Sequence, residues 1–273
     1  MKITQRLFDT IIHRWLRVPY TLHSTVHNPK GKHVFVMIHG IGNSEKSWDG
    51  VIKRLPDTVK VVTVDLLGFG KSPKPSWAMY NARTQARAVH KTLLQLGLFG
   101  RFHIVGHSLG SMVAIEMARR FPLQVSSLVL CSPPFYQPEE DDLPFRASPD
   151  RALRRIFRLA TRHKNEFVEL AKIAQRYKLA GPVFYIDESN AETYMATLEA
   201  MIINQTALRD VRRLRLPIHM MRGVFDILVI PTHLGKLKKA RKNISLHTVA
   251  AGHEVVGLYE HAVADKVAAI VKK

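Results

Sequence analysis

The pentapeptide Gly-His-Ser-Leu-Gly at residues 106–110 constrains this chain more than any other feature. An apolar, strand-like run precedes it at residues 102–105, and a helix-like run follows it at residues 111–120. A G-x-S-x-G sequence between a strand and a helix predicts a sharp turn that presents the serine, here Ser108, above the edge of a sheet. The N–H groups at the start of that helix point toward developing negative charge. The sequence therefore predicts a nucleophilic serine.

An acid and a base follow this serine in the expected chain order. Asp226 comes after the apolar run at residues 218–221, with a turn predicted at residues 222–223. His253 comes after a second run at residues 244–249. Each candidate lies in a loop at the carboxyl end of a predicted strand, where open parallel sheets place their ligands. The histidine would take the proton of the serine, and the aspartate would orient the imidazole.

A loop upstream of the serine is predicted to complete an oxyanion hole. The sequence His-Gly-Ile-Gly at residues 39–42 ends the predicted strand at residues 34–38. Two backbone N–H groups usually form such a hole, and we expect those of Ile41 and Leu109 to do so here. His39 is predicted to order this loop. Three neighbouring residues are predicted to contact the substrate: Gly40, Gly42 and His107.

These motifs, in this order, resemble those of the α/β-hydrolase superfamily over nearly the whole chain. They are His39-Gly40, the segment Asp-Leu-Leu-Gly-Phe-Gly-Lys-Ser at residues 65–72, the turn around Ser108, Asp226 and His253. The resemblance implies the α/β-hydrolase fold, with a mostly parallel central sheet flanked by helices, and a Ser-His-Asp mechanism. It does not imply the substrate, because one fold hosts many chemistries.

Strand and helix patterns alternate along the chain except between residues 133 and 215. The alternation predicts a parallel sheet with helices on both faces. The interval carries helical patterns at residues 152–160, 166–177 and 192–203. It resembles the helical cap that many α/β-hydrolases insert after the sixth strand of their core. We therefore divide the chain into an N-terminal helix at residues 1–20, a core at 21–132 and 216–273, and a cap at 133–215.

The net charge of +19 bears on partners rather than on the fold. A basic cellular background, anionic membranes and anionic substrates all remain open as its cause. No nucleic-acid recognition motif is present, so we expect no nucleic-acid partner. The sequence contains no H-E-x-x-H, clustered Cys/His or Walker-type motif, so we expect no metal and no cofactor. The single cysteine, Cys131, excludes an internal disulfide.

Residues 1–18 are predicted to form an amphipathic helix that stops at Pro19. Its apolar positions include Ile11, Trp15 and Leu16, and its basic positions include Arg14. We favour packing of the apolar face on the core, because the helix is short and ends close to the first strand. Insertion into an anionic membrane surface is the alternative. Without a signal peptide or a run of about 20 apolar residues, we expect a cytoplasmic protein, with peripheral membrane contact left open.

We therefore expect a serine hydrolase that cleaves a carboxylic ester or thioester of small to medium size through an acyl-enzyme. Hydrolysis of a C–C bond or an amide, and acyl transfer, would use the same machinery and remain open. A ligand-binding protein on a hydrolase fold is the alternative from another class. An aliphatic residue at Ile41 argues against peroxidation, since similar perhydrolases often carry an aromatic residue there. The acyl length, the leaving group and the oligomeric state are open.

Overall fold

The computed structural model describes residues 10–137, 148–176, 186 and 190–272. Within these residues, seven strands form one sheet in the order β1-β3-β2-β4-β5-β6-β7. The strands β2 to β7 are parallel, and β1 pairs antiparallel with β3 at one edge. The strands are β1 Ser24–His27, β2 His33–Ile38, β3 Val59–Val64, β4 Phe102–His107, β5 Val125–Cys131, β6 Ile218–Gly223 and β7 Ile244–Val249.

Helices cover both faces of the sheet. They are α1 Asp49–Ile52, α2 Ala82–Gln95, α3 Leu109–Arg120, α4 Pro149–Arg162, α5 Lys164–Arg176, α6 Ala191–Leu198, α7 Ala207–Val211, α8 Pro231–Ala240 and α9 Leu258–Val271. A 3-10 turn at Glu45–Trp48 precedes α1, and a π-helical turn at Glu199–Ile203 continues α6. No described helix is long and apolar enough to cross a bilayer.

The inner strand β2 contributes side chains to two apolar clusters, one on each face of the sheet. Its residues Val36 and Ile38 pack under α2, α3 and α8, whereas Phe35 and Met37 pack under α1 and α9. Successive side chains of a strand point to opposite faces, so a strand covered on both sides must be apolar throughout. The run Val-Phe-Val-Met-Ile at residues 34–38 meets that demand. The predicted parallel sheet with helices on both faces is therefore confirmed.

The four helices α4 to α7 follow β5, the fifth strand of the sheet, where the alternation of the sequence stops. Their buried side chains, such as Val168 and Tyr194, belong to the same apolar cluster as Met112 of α3. The turn Glu199–Ile203 and α7 contact α3, the helix that begins after Ser108. The division of the chain into a core and a cap at residues 133 and 215 stays a prediction.

The turn predicted at residues 222–223 is wrong. Arg222 and Gly223 continue β6 and pair with Thr248 and Val249 of β7. Glycine is required at position 223 for a different reason, because a Cβ there would overlap the carbonyl oxygens of Ala251 and Gly252. Close approach of the chain after β7, and not a turn, explains this glycine.

The N-terminal segment also differs from its prediction. The structure describes it from residue 10 onward and places a π-helical turn at Thr10–Trp15, while residues 1–9 lie outside the described part. The apolar side chains of Ile11, Trp15 and Leu16 are exposed. The favoured packing of the apolar face on the core is therefore not observed for these three residues.

A buried hydrogen bond between Asp150 and His233 connects α4 to the core. Asp150, at the start of α4, accepts hydrogen bonds of 2.9 Å from His233 Nε2 in α8 and of 2.7 Å from the backbone N–H of Gln137. Burial alone would raise the pKa of Asp150, but the hydrogen bonds from His233 and Gln137 outweigh it and lower the pKa. The carboxylate therefore stays ionised at neutral pH.

We expect Asp150→Ala to destabilise the protein by about 1–3 kcal/mol, because it leaves the buried donors of His233 and Gln137 without an acceptor. Asp150→Asn is the matched control and should cost less, because its amide oxygen still accepts. A carboxyl whose pKa is lowered by folding contributes stability that is lost as the pH falls through the folded pKa. Urea unfolding at neutral and at acidic pH should therefore show the difference between wild type and Asp150→Ala shrinking in acid, and a constant difference would contradict this account.

Candidate active site

The serine turn has the strained backbone that its sequence predicts. Ser108 joins β4 to α3 with a φ of 50° and a ψ of −119°, outside the regions that L-residues favour. A Cβ at Gly106 would collide with the carbonyl of Gly110, and a Cβ at Gly110 would overlap the carbonyl oxygen of Ile38. Both glycines are thus required by close backbone approach, and together they allow the turn that lifts Ser108 to the end of the sheet.

The structure brings Ser108, His253 and Asp226 together at the carboxyl ends of β4, β6 and β7. The Oγ of Ser108 lies 3.0 Å from His253 Nε2, and His253 Nδ1 lies 2.9 Å from both carboxylate oxygens of Asp226. Backbone hydrogen bonds join the loops of the acid and the base, from Val224 N–H to Val249 O and from Phe225 N–H to Ala251 O. Residues separated by 145 positions therefore form one continuous hydrogen-bonded chain.

The charge of Asp226 fixes the tautomer of this histidine. Burial alone would raise the pKa of Asp226, but hydrogen bonds from His253, from the hydroxyl of Ser132 and from the N–H of Leu228 hold the pKa below its usual value. An ionised carboxylate only accepts hydrogen bonds, so Nδ1 of His253 carries the proton. Its Nε2 then has a free lone pair directed at the hydroxyl of Ser108.

Ser132 and Tyr259 belong to this network, and sequence reasoning missed both. Ser132 directly follows β5 and also adopts a positive φ of 49°. Its Oγ lies 3.2 Å from the phenolic oxygen of Tyr259, which is buried in α9. The position of a serine directly after a buried strand, at the same sheet edge as Ser108, is the signal that could have identified Ser132. Nothing local in the sequence points to Tyr259.

His107 is hydrogen-bonded to the backbone of His253, the candidate catalytic base. Its Nε2 donates to the carbonyl oxygen of His253 at 2.9 Å, and burial lowers its pKa to about 4. His107, His253 and Glu254 place three potential ligand atoms within 4.8 Å of one another. Both nitrogens of His253 already bond Ser108 and Asp226, so this cluster serves the hydrogen-bonded chain. The predicted contact of His107 with substrate stays a prediction.

The loop at residues 39–42 lies against the serine, as expected. A Cβ on Gly40 would come within 3.2 Å of the Cβ of Ser108. His39 orders the loop, because its Nδ1 donates to the carbonyl of Gly40 at 2.6 Å and its Nε2 accepts from Leu66 N–H at 2.9 Å. Burial lowers the pKa of His39, which suits this neutral, one-donor role.

The two predicted oxyanion donors belong to the two segments that meet at Ser108, the loop of Gly40 and the start of α3. Leu109 begins α3, and the first N–H groups of a helix have no partner within the helix. Ile41 lies in the loop after β2, between Gly40 and Gly42, and Gly42 has a φ of 72°. The assignment of these N–H groups to an oxyanion, and of Gly40 and Gly42 to substrate contact, stays a prediction.

A cleft of about 730 Å³ opens beside this loop. Gly42, Asn43 and Val256 line it, and Asn43 Nδ2 lies 3.4 Å from a carboxylate oxygen of Glu254, the residue after His253. Five charged side chains line it: Lys46, Lys53, Lys74, Asp49 and Glu260. Glu260 is paired with Arg54 at 3.2 Å, so the three ammonium groups outweigh the remaining carboxylate of Asp49.

Comparison with known proteins gives the same fold. A family model described as "alpha/beta hydrolase fold" matches residues 33–257. A curated relative, the probable lysophospholipase BODYGUARD 2 of Arabidopsis thaliana, is 35% identical over 115 residues, which are 40% of this chain and 24% of that protein. The match thus spans about a quarter of the length of that relative.

Solved structures agree over nearly the whole chain. A thermophilic esterase from Thermogutta terrifontis superposes with a TM-score of 0.71 at 18% identity, covering 92% of this chain and 93% of the esterase. A membrane phospholipase A, a bacterial virulence factor, superposes with a TM-score of 0.66 at 22% identity, covering 98% and 91%. At these identities the likeness concerns the fold, and the predicted fold class is confirmed.

Proposed function

Because this chain belongs to the α/β-hydrolase fold family, we propose that it is a serine hydrolase that cleaves carboxylic esters or thioesters through an acyl-enzyme. One observation carries the proposal. Ser108 Oγ, His253 Nε2 and Nδ1, and the carboxylate of Asp226 form an unbroken series of hydrogen bonds of 3.0 and 2.9 Å. This series is the arrangement in which a neutral imidazole activates a hydroxyl nucleophile.

In the proposed reaction, Ser108 Oγ attacks the carbonyl carbon of the ester while His253 Nε2 takes the hydroxyl proton. The N–H groups of Ile41 and Leu109 would stabilise the oxyanion, and Asp226 would stabilise the imidazolium. His253 then gives its proton to the leaving alkoxide or thiolate, which departs as an alcohol or thiol. Water, deprotonated by the same imidazole, attacks the acyl-enzyme and releases the carboxylic acid and the free serine.

The positive charge of the lysine-lined cleft favours ester substrates that carry an anionic group. Lys46, Lys53 and Lys74 would attract a substrate with an anionic group close to the scissile bond. In a lysophospholipid, the phosphate lies in the leaving group of the ester. Similar proteins named a probable lysophospholipase and a membrane phospholipase A are consistent with that substrate class. We therefore include lysophospholipids among the proposed substrates.

Two measurements on the purified protein test the proposal. A fluorophosphonate probe should label it covalently, because the probe reacts only with an activated serine. A panel of p-nitrophenyl esters of rising chain length, together with a lysophospholipid, should then give the acyl preference. Added alcohol that captures the acyl group faster than water would indicate acyl transfer. A folded protein that neither labels nor turns over any ester would instead support the ligand-binding alternative.

The pH dependence should follow the protonation of His253. An imidazole that already carries a second proton cannot accept the Ser108 proton, so kcat/KM should fall in acid by about tenfold per pH unit. A single proton is expected, because burial lowers the pKa of His107 to about 4 and hydrogen bonds lower the pKa of Asp226. A flat profile under conditions where chemistry limits the rate would contradict a histidine base, and a slope of two would implicate a second group.

The remaining expectations on partners stay proposals. They are a small-molecule ester or thioester as substrate, catalysis without a cofactor or metal, and a cytoplasmic location with peripheral contact to anionic membranes.

A further inference from the structure

A second cleft, of about 330 Å³, lies between the N-terminal turn and the segment that leads into α2. Four arginines line it, and all four are exposed: Arg14, Arg17, Arg83 and Arg87. Trp77 and Met79 line it as well. We call these six residues the arginine–tryptophan surface. Among the described residues, no carboxylate lines the cleft, whereas four arginine side chains do.

Large apolar side chains are exposed on and beside this surface. Met79 is 71% exposed and Trp77 is 37% exposed. On the N-terminal turn that borders the cleft, Trp15 is 77% exposed and Leu16 is 64% exposed. Single exposed apolar residues are ordinary, but here two lie on the cleft itself and two more stand between Arg14 and Arg17 in the sequence. Several exposed apolar side chains next to a cluster of cations are typical of an interaction site.

Contacts with α2 hold the N-terminal segment in place while the side chains of Trp15 and Leu16 are exposed. Arg87 Nη2 in α2 donates to the carbonyl oxygen of Arg17 at 3.1 Å, and Lys91 Nζ donates to that of Pro19 at 2.8 Å. The ring of His13 stacks on Tyr20 with centroids 3.7 Å apart. The chain after the turn is therefore attached to α2 through the backbone of Arg17 and Pro19, and no element in the described part of the chain covers Trp15 and Leu16.

We propose that the arginine–tryptophan surface, with Trp15 and Leu16, binds an anionic lipid bilayer. Arginine side chains pair with lipid phosphates in a bidentate manner, and tryptophan favours the headgroup level of a membrane. A soluble anion would satisfy the arginines but would leave the exposed apolar side chains in water. A purely apolar partner would leave four charges uncompensated. A bilayer surface satisfies both demands at once.

The position of this surface fits a lipid-facing orientation of the molecule. The segment between β3 and α2 contributes Trp77 and Met79 to the arginine–tryptophan surface and Phe69, Gly70 and Lys74 to the lysine-lined cleft beside the site. One continuous segment therefore joins the proposed membrane contact to the lysine-lined cleft at Gly42. Membrane binding itself does not depend on the proposed hydrolase activity.

The test is co-sedimentation of the full-length protein with vesicles of phosphatidylcholine alone and of phosphatidylcholine mixed with phosphatidylserine. Binding is expected only to the anionic vesicles and should weaken as salt rises, because screening shortens the range of the attraction. The double variant Arg14→Glu/Arg83→Glu should bind at least about tenfold more weakly, since each basic residue near the surface contributes about 1 kcal/mol. Lys30→Glu/Lys32→Glu, in the loop before β2, is the matched control with the same change in charge.

Tryptophan fluorescence gives a second readout that does not depend on the charge variants. Trp15 and Trp77 lie at the proposed contact, whereas Trp48 is buried in the core. Anionic vesicles should shift the emission of wild type to the blue, and Trp15→Ser should reduce both the shift and the affinity. Ser108→Ala should bind vesicles like wild type, which separates this proposal from the proposed hydrolase activity.

Several outcomes would overturn the proposal. The first is that wild type does not bind anionic vesicles. The second is that the Lys30/Lys32 control loses as much binding as Arg14→Glu/Arg83→Glu. The third is that an oligonucleotide at equal phosphate concentration displaces the protein from the vesicles. The first would leave the surface without a lipid partner. The second would reduce the interaction to net charge. The third would indicate nucleic acid as the preferred anion.

Discussion

Replacing Ser108 with alanine is expected to abolish ester turnover and fluorophosphonate labelling while leaving the fold intact. The variant removes the proposed nucleophilic oxygen, which lies 3.0 Å from His253 Nε2, and in the described part of the chain no other hydroxyl bonds that nitrogen. Loss of the nucleophile in a Ser-His-Asp site costs on the order of 10⁴–10⁶ in kcat. Alanine keeps the Cβ of serine, so the strained backbone at a φ of 50° changes little. Steady-state kinetics, probe labelling and a thermal melt would measure all three expectations.

The matched control for this variant is Ser111→Ala. Ser111 lies one turn further along α3, is fully buried, and donates to the carbonyl oxygen of Gly106 at 2.9 Å. Its replacement should cost stability through the lost hydrogen bond, yet the protein should still label with the probe. If Ser108→Ala retained labelling while Ser111→Ala lost it, the nucleophile would have been assigned to the wrong serine.

The strands and loops that carry the candidate site could be predicted, because the local sequence indicates where each strand runs and which residue follows it. The strand predicted at residues 34–38 lies within β2 His33–Ile38, and the one predicted at residues 244–249 has the bounds of β7 Ile244–Val249. A strand buried on both faces, as β2 is over residues 35–38, must be apolar there, so it stands out in the sequence as an apolar run. Ser108, Asp226 and His253 each follow such a run, which is why their convergence at one sheet edge could be foreseen.

Features that depend on contacts between distant segments could not be read from the sequence. The glycine at position 223 matches a turn pattern, but pairing with β7 extends the strand through it. The partner of Ser132 is Tyr259, 127 positions away, and no local pattern connects the two. Amphipathic periodicity near the N-terminus identifies an apolar face. Whether that face is covered depends on how the segment is attached to α2, here by hydrogen bonds from Arg87 and Lys91 to its backbone.

Replacing Asp226 with asparagine is expected to lower kcat by roughly 10²–10⁴-fold with little loss of stability. Asparagine has nearly the same shape, and its amide oxygen can still accept from the N–H of Leu228, a bond of 3.0 Å in the wild type. Its amide nitrogen, however, is a donor, and a donor facing His253 Nδ1 favours the tautomer with the proton on Nε2. That tautomer has no lone pair for the hydroxyl of Ser108, and the imidazolium loses the adjacent negative charge.

Glu254→Gln is the control that distinguishes this role of Asp226 from a general effect of negative charge near the histidine. Glu254 follows His253 and interacts with Asn43, but it does not contact the ring nitrogens of His253 in the described hydrogen bonds. Its replacement should change kcat several-fold at most. Fluorophosphonate labelling rates of the two variants at neutral pH would compare them directly, since labelling also requires the activated serine. Near-normal labelling of Asp226→Asn beside an inactive Glu254→Gln would mean that the acid of this site is Glu254, because only the carboxylate that fixes the tautomer of His253 is indispensable to the nucleophile.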